Sequence, residues 1–584
     1  MAFQVSPGVN ISEIDLSTTI PNVSVSDAAM AAGFQWGPAD KVTTVTSEKN
    51  MVDIFGKPDN ETVTNWLTAA SFLAYAGSLQ IVRTLASGTG TSLNATDDAT
   101  GILVANEAEY DAGITFAADN TFAARYPGAI GNSLGVGVIH KGSAATLDIG
   151  GTIHTWGDLF DSLPNKGASN NSTAENLVHV FVTDSGGLFT GTVGNVLERF
   201  AYVSIASDAK DAQGNSNYIV DVIRNQSKYI YCTGKFDANT EFGAAENEVA
   251  NWDTLVVGDD PDDLNEHYAT VLTSGAANNT NANVTGQRQL GYDLFKDAEQ
   301  TDVSLFIIGE DTDTFNTTNY VSETVITGSS GRKDAVVFVS PRKAAVQTGS
   351  LSDKTTAVTD DRDSVTSTTY GFMDSGWKRM YNKYTDKFVA VPLNGDIAGL
   401  CVATDNTRDP WFSPAGFNRG HIKNAASLYF DPDKASRDSL YKAGVNPVAS
   451  FPGQGIVLFG DKTLYGTSAG GSAFDRINVR RLFIVLEKAI SRASKSMLFE
   501  FNDEFTRAQF RSMVEPFLRN VKSRRGITDF LVVCDQTNNT ADVVDRNEFV
   551  GDIFIKPARS INFIQLNFVA VSTGVSFSEV VGAV

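Results

Sequence analysis

Two short, continuous apolar runs place the strongest constraint on the fold of this chain. They read SLFII at Ser304–Ile308 and AVVFV at Ala335–Val339. A strand with one face in water alternates apolar and polar residues, whereas a strand covered on both faces is apolar throughout. The two runs therefore predict strands of a parallel sheet with helices on both sides, which is an α/β architecture.

Helical and strand patterns alternate around these runs, from about residue 195 to residue 345. Helices are predicted at Asn195–Ala206, Leu290–Glu299 and Tyr320–Ser329, and strands at Tyr218–Ile223 and Tyr229–Cys232. Such alternation is typical of strands joined by crossover helices. This part of the chain is therefore predicted to be an α/β domain.

At 584 residues the chain is too long for a single core, so it is predicted to be a multidomain α/β and α+β protein. Residues 86–190 are rich in Gly, Ser, Thr, Asn and Ala and poor in Lys and Arg, which indicates a β-rich surface insertion. The predicted domains are 1–20 as an extended arm, 21–88 with 330–440 as a discontinuous α/β domain, 89–195 as the insertion, 196–329 as an α/β domain, and 441–584 as an α+β C-terminal domain.

The C-terminal domain is predicted to contain two long helices followed by strands. The first helix spans Val479–Phe499, and the capping-box pair Thr506 and Gln509 opens the second, which Pro516 is expected to kink or divide. Strands are predicted at Phe530–Cys534, Asp552–Lys556, Ile561–Val571 and Gly574–Val581.

The segment Val391–Gly420 is dense in Gly, Pro, Asn and Asp, yet it contains apolar residues and the aromatic residues Trp411 and Phe412. This composition predicts a long, ordered connection that is held by turns rather than by a helix or a sheet.

The formal net charge is −22 at pH 7, so a phosphate backbone would repel the protein and direct nucleic-acid binding is not expected. The charge is uneven: residues 91–190 contain eleven acidic and three basic residues, while residues 476–525 contain twelve basic and five acidic ones. The basic segment is a solvated face, or pairs within its domain with acidic residues, or contacts a protein partner. The acidic candidates for such pairing are Glu500, Asp503, Glu504 and Glu515.

The cysteines Cys232, Cys401 and Cys534 are widely spaced and form no CxxC pair, which predicts buried, reduced thiols in a reducing compartment. The first residues lack a signal-peptide pattern, and no run approaches the ~18 apolar residues of a membrane span. The sequence therefore predicts a soluble protein made in the cytoplasm.

The sequence contains one catalytic motif by letter, GTSAG at Gly466–Gly470, which matches the G-x-S-x-G nucleophile elbow. An α/β hydrolase needs a histidine after it, but the last one in the chain is His421. The acidic clusters Gly258–Asp263 and Glu310–Asp313 lack the ligand spacing of a calcium loop. No P-loop or zinc spacing occurs, so no catalytic residue, metal ligand or cofactor is predicted.

Four blocks of the sequence are distinctive. They are LNGDIAGL at Leu393–Leu400, PWFSPAGFNRG at Pro410–Gly420, ARYPGAIGNSLGVGV at Ala124–Val138 and RKDAVVFVSP at Arg332–Pro341. Together they resemble the contractile tail sheath proteins of T4-like phages. The resemblance implies a subtilisin-like α/β middle domain without enzyme activity and a C-terminal assembly domain with extended terminal strand arms.

The resemblance also implies that the chain polymerises as stacked hexameric rings around an inner tail tube and contracts to drive the tube through the host envelope for genome ejection. The expected partners are other copies of the chain, the tail tube protein, and the baseplate and tail terminator proteins, with no direct membrane insertion. The expected location is the virion tail sheath, after assembly in the host cytoplasm.

Two sets of residues are candidates for contacts between subunits or with the tube. The arms that would join neighbouring subunits carry Val5, Val9, Ile11, Ile14, Phe563, Gln565, Phe568, Val575 and Phe577. The basic residues that would face the tube or a neighbour are Arg480, Arg481, Lys488, Arg524 and Arg525.

Three alternatives remain at this point. The chain could instead form the sheath of a phage-derived injection particle or of a type VI secretion system, which would rest on the same physical principles of assembly and contraction. An α/β hydrolase would need a triad that the sequence does not provide, and the helical C-terminal domain disfavours a capsid-surface or receptor-binding β protein.

Overall fold

The computed structural model describes residues 26–75, 77–87, 92–97, 100–113, 121–139, 146–164, 177–205, 209–232, 235–237, 240–241, 268–277, 285–311, 314–465, 471–562 and 565. Within these residues the chain forms two compact units. The larger unit takes residues 26–410 and 414–492, and the smaller unit takes residues 411–413 and the chain from residue 493.

A six-stranded sheet, the central sheet, organises the larger unit. Its strands pair in parallel except for the last, which is antiparallel to its neighbour. In spatial order they are Gly371–Met373, Val336–Val339, Leu305–Ile307, Asp27–Ala32, Ser78–Arg83 and Thr43–Val45. The two apolar runs of the sequence are thus neighbouring parallel strands, with Leu305 opposite Val336, as their composition predicts.

Helices cover both faces of the central sheet, because its strands are apolar on both sides. One face, which includes Met30 and Ile307, packs against helices Glu48–Phe55, Val63–Leu73, Asn394–Thr407 and Ile477–Ser494. The other face, which includes Ala31 and Phe306, packs against helix Thr285–Asp293 and the helical segments Asn316–Tyr320 and Val321–Ile326. This three-layer arrangement confirms the α/β prediction, while the subtilisin-like assignment stays a prediction.

The sheet also corrects a domain boundary. Leu305–Ile307 was predicted to lie in a separate domain of residues 196–329, yet it pairs with both Asp27–Ala32 and Val336–Val339. Residues 285–329 therefore belong to the same body as 27–83 and 336–373. The sequence pattern identifies a buried strand but does not reveal which strands it pairs with.

The insertion is a β-rich body that extends further than predicted, from residue 92 to residue 277. Its main sheet is antiparallel and has the strand order Asn195–Ser204, Leu177–Asp184, Leu134–Ile139 and Tyr268–Val271. Small two-stranded sheets join Thr146–Ile149 with Thr152–Thr155, Ile230–Cys232 with Phe122–Ala124, Ala276–Ala277 with Ser92–Leu93, and Lys235–Asp237 with Thr240–Glu241. Its helices are Glu107–Asp111, Ala129–Ser133, Trp156–Leu159 and Ile219–Gln226.

Two predicted elements of the insertion are wrong in type. Asn195–Ala206 was predicted as a helix, but Asn195–Ser204 is a strand held by its pairing with Leu177–Asp184. Tyr218–Ile223 was predicted as a strand, but Ile219–Gln226 is a helix whose buried residues, Ile219, Val222 and Ile223, have helical spacing. Short apolar runs leave this choice to tertiary packing.

The wholly buried side chain of Arg83 ties the insertion to the central sheet. Its guanidinium donates hydrogen bonds to the carbonyl oxygens of Phe34 at 2.8 Å, Gly37 at 2.7 Å and Gln35 at 3.3 Å, beside the sheet. It also donates to the carbonyl oxygen of Pro127, in the insertion, at 2.6 Å. Burial lowers the pKa of Arg83 to about 9, and Asp40 counters this effect.

The segment Val391–Gly420 is not the turn-held connection that its composition predicted. Strand Lys387–Pro392 leads directly into the buried helix Asn394–Thr407, and only residues 408–420 are irregular. The glycines serve close packing: a Cβ at Gly395 would lie 2.4 Å from the carbonyl oxygen of Thr68. A helix with glycines in its interior is disfavoured by intrinsic propensity, so packing must stabilise it.

The larger unit also contains four further helices and several further strands within the described residues. The helices are Lys343–Gln347, Leu351–Asp363, Lys434–Ala443 and Ala473–Asp475. The strands are Trp377–Asn382, which pairs with Lys387–Pro392 and Ser427–Leu428, and Val448–Phe451, which pairs with Gly455–Leu458.

Among its described residues, the smaller unit contains one long helix and one hairpin, with short helices at Lys495–Met497 and Ala541–Asp545. The long helix, Glu504–Ser523, continues through Pro516 without division. Its N-cap is Asp503, whose carboxylate accepts the Thr506 backbone N–H at 2.8 Å, so the predicted capping pair of Thr506 and Gln509 is wrong. The strands Ile527–Val533 and Asp552–Pro557 form the C-terminal hairpin, close to the two strands predicted here.

Candidate assembly site

The C-terminal hairpin buries one face and leaves the other open. Phe510, Val514, Leu518 and Val521 of the long helix are buried, and the helix packs on the first strand of the hairpin. On the opposite face, Leu531 and Phe554 lie directly across from each other in the antiparallel register, and each is 59% exposed. A cross-strand pair of large apolar side chains in water indicates a surface that another element covers.

The hairpin is also a sheet of only two strands within the described residues. An isolated two-stranded sheet is marginally stable in water, and unpaired strand edges present backbone donors and acceptors to an added strand. The hairpin therefore has the geometry of a strand acceptor.

Most of the predicted arm residues lie outside the described part of the chain. This holds for Val5, Val9, Ile11, Ile14, Phe563, Phe568, Val575 and Phe577, whereas Gln565 is described. The predicted strands Ile561–Val571 and Gly574–Val581 also fall largely on residues outside that part. The arms stay a prediction.

Three of the five basic candidates are buried inside the larger unit. Arg481 pairs with Asp405, and both side chains are almost fully buried. Arg480 lies over the ring of Tyr370 at 4.2 Å and reaches Glu487 at 3.5 Å. These arginines are not available to a tube or a neighbour in this fold, and intradomain pairing explains them.

Lys488 is the third buried candidate. Its Nζ lies 2.8 Å from a carboxylate oxygen of Asp302 and 3.2 Å from one of Asp334, and it donates to the Ser304 hydroxyl at 2.7 Å. Arg492 adds a contact to Asp302 at 2.9 Å. Partial burial tends to raise the pKa of Asp302, but the two cations outweigh it and the pKa is lowered.

The other two basic candidates, Arg524 and Arg525, are exposed in the smaller unit. Arg524 lies over the indole ring of Trp411 at 5.4 Å, and the indole N–H of Trp411 donates to the Arg524 carbonyl oxygen at 3.1 Å. Arg525 has φ +68°, a left-handed conformation that favours glycine. These two side chains are placed where a partner could reach them.

An exposed apolar segment that was not predicted from the sequence lies at the start of the long helix. Leu498 is 63% exposed, Phe501 is 85% exposed, Phe505 is 76% exposed, and Phe499 is completely exposed. The signal was present as MLFEFNDEF at residues 497–505, where three phenylalanines alternate with acidic residues.

A buried ionic cluster in the larger unit includes a residue of the LNGD block. The Lys378 Nζ lies 2.9 Å from a carboxylate oxygen of Asp396, and the Tyr75 hydroxyl donates to the same carboxylate at 3.2 Å. Burial raises the pKa of Asp396 while Lys378 opposes the shift. The cluster joins helix Asn394–Thr407 to strand Trp377–Asn382 and to the chain after helix Val63–Leu73, which is a packing role.

The described residues contain no group of three or more His, Cys, Asp or Glu side chains that could hold a metal ion. The motif Gly466–Gly470 and the cluster Gly258–Asp263 lie outside the described residues, as does part of Glu310–Asp313. The three cysteines are free and buried, as predicted. Within the described part of the chain, no helix is long and apolar enough to cross a membrane.

Three family models match the chain, and they define a structural protein of the phage tail. The tail sheath protein Gp18 domain III N-terminal region matches residues 27–83, the phage tail sheath protein central domain matches 277–464, and the phage tail sheath C-terminal domain matches 470–570. The central-domain match includes the central-sheet strands Leu305–Ile307, Val336–Val339 and Gly371–Met373.

Relatives match along nearly the whole chain. The tail sheath protein of Vibrio phage KVP40 is 34% identical, and that of Enterobacteria phage T4 is 33% identical, with 99% of each chain covered in both comparisons. The chain belongs to the phage tail sheath protein family and is a subunit of a contractile tail sheath.

Two solved structures share the fold at low sequence identity. The sheath of an extracellular contractile injection system, in its contracted state, has a TM-score of 0.50 at 12% identity and covers 98% of this chain and 99% of its own. A sheath tail protein of Listeria innocua has a TM-score of 0.51 at 12% identity, with 93% and 97% covered.

Proposed function

We propose that this sheath subunit polymerises as stacked rings of six around an inner tail tube, and that contraction of the polymer drives the tube through the host envelope for genome ejection. The observation that carries the proposal is the C-terminal hairpin, with its two strands and its exposed Leu531 and Phe554. A sheath that contracts needs links between subunits that persist while the subunits move. Backbone hydrogen bonds to an added strand provide such links, because they join only the edges of two bodies.

The terminal arms are the proposed strand donors. Val9 and Ile11 alternate as the apolar side of a strand would, and Val575 and Phe577 have the same spacing near the other end of the chain. An arm from a neighbour that pairs with the hairpin would extend its sheet. Apolar residues of such an arm would widen the apolar face formed by Leu531 and Phe554.

Deletion of residues 1–15 tests this proposal. Folded subunits that sediment as monomers and give no striated tubes by negative-stain microscopy are expected. A matched pair of variants refines the test: Val9→Asp with Ile11→Asp should block assembly, whereas Asn10→Asp with Ser12→Asp should not, because in the proposed strand the latter two would point to the opposite side. Tubes of normal length from the truncated protein would contradict the strand-donor role.

The remaining partners follow from the same proposal. The tail tube protein lies inside the polymer, and the baseplate and tail terminator proteins lie at its ends. The subunit is assembled in the host cytoplasm and works in the virion, without catalysis and without a cofactor. Co-sedimentation of the polymer with purified tube protein would test the inner contact.

A further inference from the structure

The long helix of the smaller unit, Glu504–Ser523, has different chemistry at its two ends. At its start lies the apolar segment Leu498–Phe505, which includes the first two helix residues and has three aromatic side chains that are at least 76% exposed. Exposed aromatic side chains in this number are unusual on a monomer and are typical of the centre of a protein interface.

Acidic residues alternate with this apolar segment. Glu500, Asp503 and Glu504 are all exposed, and Asp503 caps the helix. Neither Glu500 nor Glu504 forms an ion pair within the described residues. The helix dipole favours acidic residues at this end, but it does not explain phenylalanines in water.

Basic residues gather at the other end of the helix. Arg519, Lys522, Arg524 and Arg525 are exposed there, which gives four positive charges against three negative ones at the start. Arg519 and Lys522 have acidic neighbours, Glu515 at 3.6 Å and Asp529 at 3.0 Å. Arg525 has no ion pair within the described part of the chain, and the aliphatic stems of these side chains can cover apolar rings.

We propose that the acidic, apolar segment Leu498–Phe505 of one subunit docks on the basic end, Arg519–Arg525, of the same helix in a second copy. The helix has 20 residues and is therefore about 30 Å long, so its two ends cannot meet within one subunit. Opposite charges on two different patches of one chain favour a head-to-tail contact. Such a contact generates rings or helical filaments rather than closed dimers.

The inference rests on the proposed function, because it requires the chain to polymerise. A charge-exchange experiment tests it on the full chain. One variant carries Glu500→Lys and Glu504→Lys, a second carries Arg524→Glu and Arg525→Glu, and a third carries all four changes. Circular dichroism and thermal melting establish that each is folded, and sedimentation with negative-stain microscopy gives the critical concentration for assembly.

Each single-ended variant should raise the critical concentration at least about tenfold, because like charges then face each other. The four-residue exchange and an equimolar mixture of the two single-ended variants should both return it to within about threefold of the original protein, because opposite charges meet again. The mixture contains only the two impaired proteins. If assembly returns in it, the impairment of each variant was not caused by misfolding.

Three results would overturn the inference. Single-ended variants that assemble like the original protein would show that the two ends do not meet, and so would variants that lose only tube binding. A four-residue exchange that is folded but no more competent than either single-ended variant would have the same consequence. If the unchanged protein forms no polymer at all, the proposed function fails instead, so the two failures are distinguishable.

Discussion

The two units of the subunit differ in how their charged and large apolar side chains are placed. In the larger unit several buried charged groups are paired within the unit: Lys378 pairs with Asp396, Arg481 pairs with Asp405, and Arg83 donates to four carbonyl groups. The smaller unit has a two-stranded hairpin and phenylalanines in water. The exposed phenylalanines lie in the smaller unit, and this is the unit in which we propose contacts with other subunits.

The same contrast is visible at the sheet edges. The outer strand of the insertion, Asn195–Ser204, has two register shifts and a left-handed residue, Tyr202, and its Glu198 accepts the Lys228 backbone N–H. Bulges and side-chain cover of this kind prevent an edge from pairing with another chain. The C-terminal hairpin has one shift, at its start, and Leu531 and Phe554 on one of its faces are each 59% exposed.

The largest expected effect is a loss of stability in the larger unit. The substitution Lys378→Met would cause it, because it leaves Asp396 buried without its cation. Loss of one partner from a buried pair costs about 3–5 kcal/mol of unfolding free energy. Urea titration of the variant should show this loss. Replacing both partners, with Lys378→Met and Asp396→Leu, should recover most of it, and a double variant as unstable as the single one would contradict the pairing account.

The second expected effect concerns the open face. Leu531→Asp with Phe554→Asp should raise the critical concentration for assembly at least about tenfold, or about 1.4 kcal/mol, while the subunit stays folded. The matched control is Leu188→Asp in the insertion, because Leu188 is 58% exposed and Leu531 is 59% exposed. If the hairpin substitutions and Leu188→Asp change sedimentation equally, the hairpin face has no special role in assembly.

Arg525→Gly is expected to have a smaller effect. It should increase the stability of the subunit but weaken its assembly. The left-handed φ of +68° suits glycine, so the unfolding free energy should rise by about 0.5 kcal/mol. Assembly should weaken because a charge is lost from the basic end. Arg525→Asn, which also tolerates this conformation, is the control, and a gain in assembly by either variant would contradict the docking role.

The smallest effect is expected from pH. The pKa of Asp302 is lowered in the folded state by Lys488 and Arg492, so its contribution is present above the pKa of the unfolded chain and is lost as pH falls through the folded value. Because Asp302 and Arg492 are nearly half exposed, solvent screening keeps the contribution below about 1 kcal/mol. Asp302→Asn should therefore slightly reduce the loss of unfolding free energy at acidic pH. If the pH dependence is unchanged in the variant, Asp302 does not contribute to it.

The sequence revealed those parts of the fold that depend on local chemistry. Continuous apolar composition was enough to identify Leu305–Ile307 and Val336–Val339, because a strand covered on both faces has few alternatives. It could not decide Asn195–Ser204 or Ile219–Gln226, where the same residue types suit either structure and distant pairing decides. It also misjudged Asn394–Thr407, whose glycines are explained only by the helix that lies against them.

The candidate site was predicted less well than the fold. Charge counting identified a basic segment, but it could not show that Arg480, Arg481 and Lys488 are buried, because their acidic partners come from distant parts of the chain. The phenylalanines at residues 499–505 are visible in the sequence, but aromatic residues are normally expected to be buried. Only the structure shows that they face water.

The anchoring of the insertion by Arg83 has a consequence for protein engineering. The anchor on the insertion side is the backbone carbonyl of Pro127, not a side chain, so most insertion residues can change without disturbing it. A foreign β domain grafted between the central-sheet strands would also have to replace the hydrogen bonds that join Ala105 and Asn106 to Ala39 and the contacts of the Trp36 ring with Tyr126 and Phe189. The insertion is in this sense a module whose attachment is defined by a small set of residues.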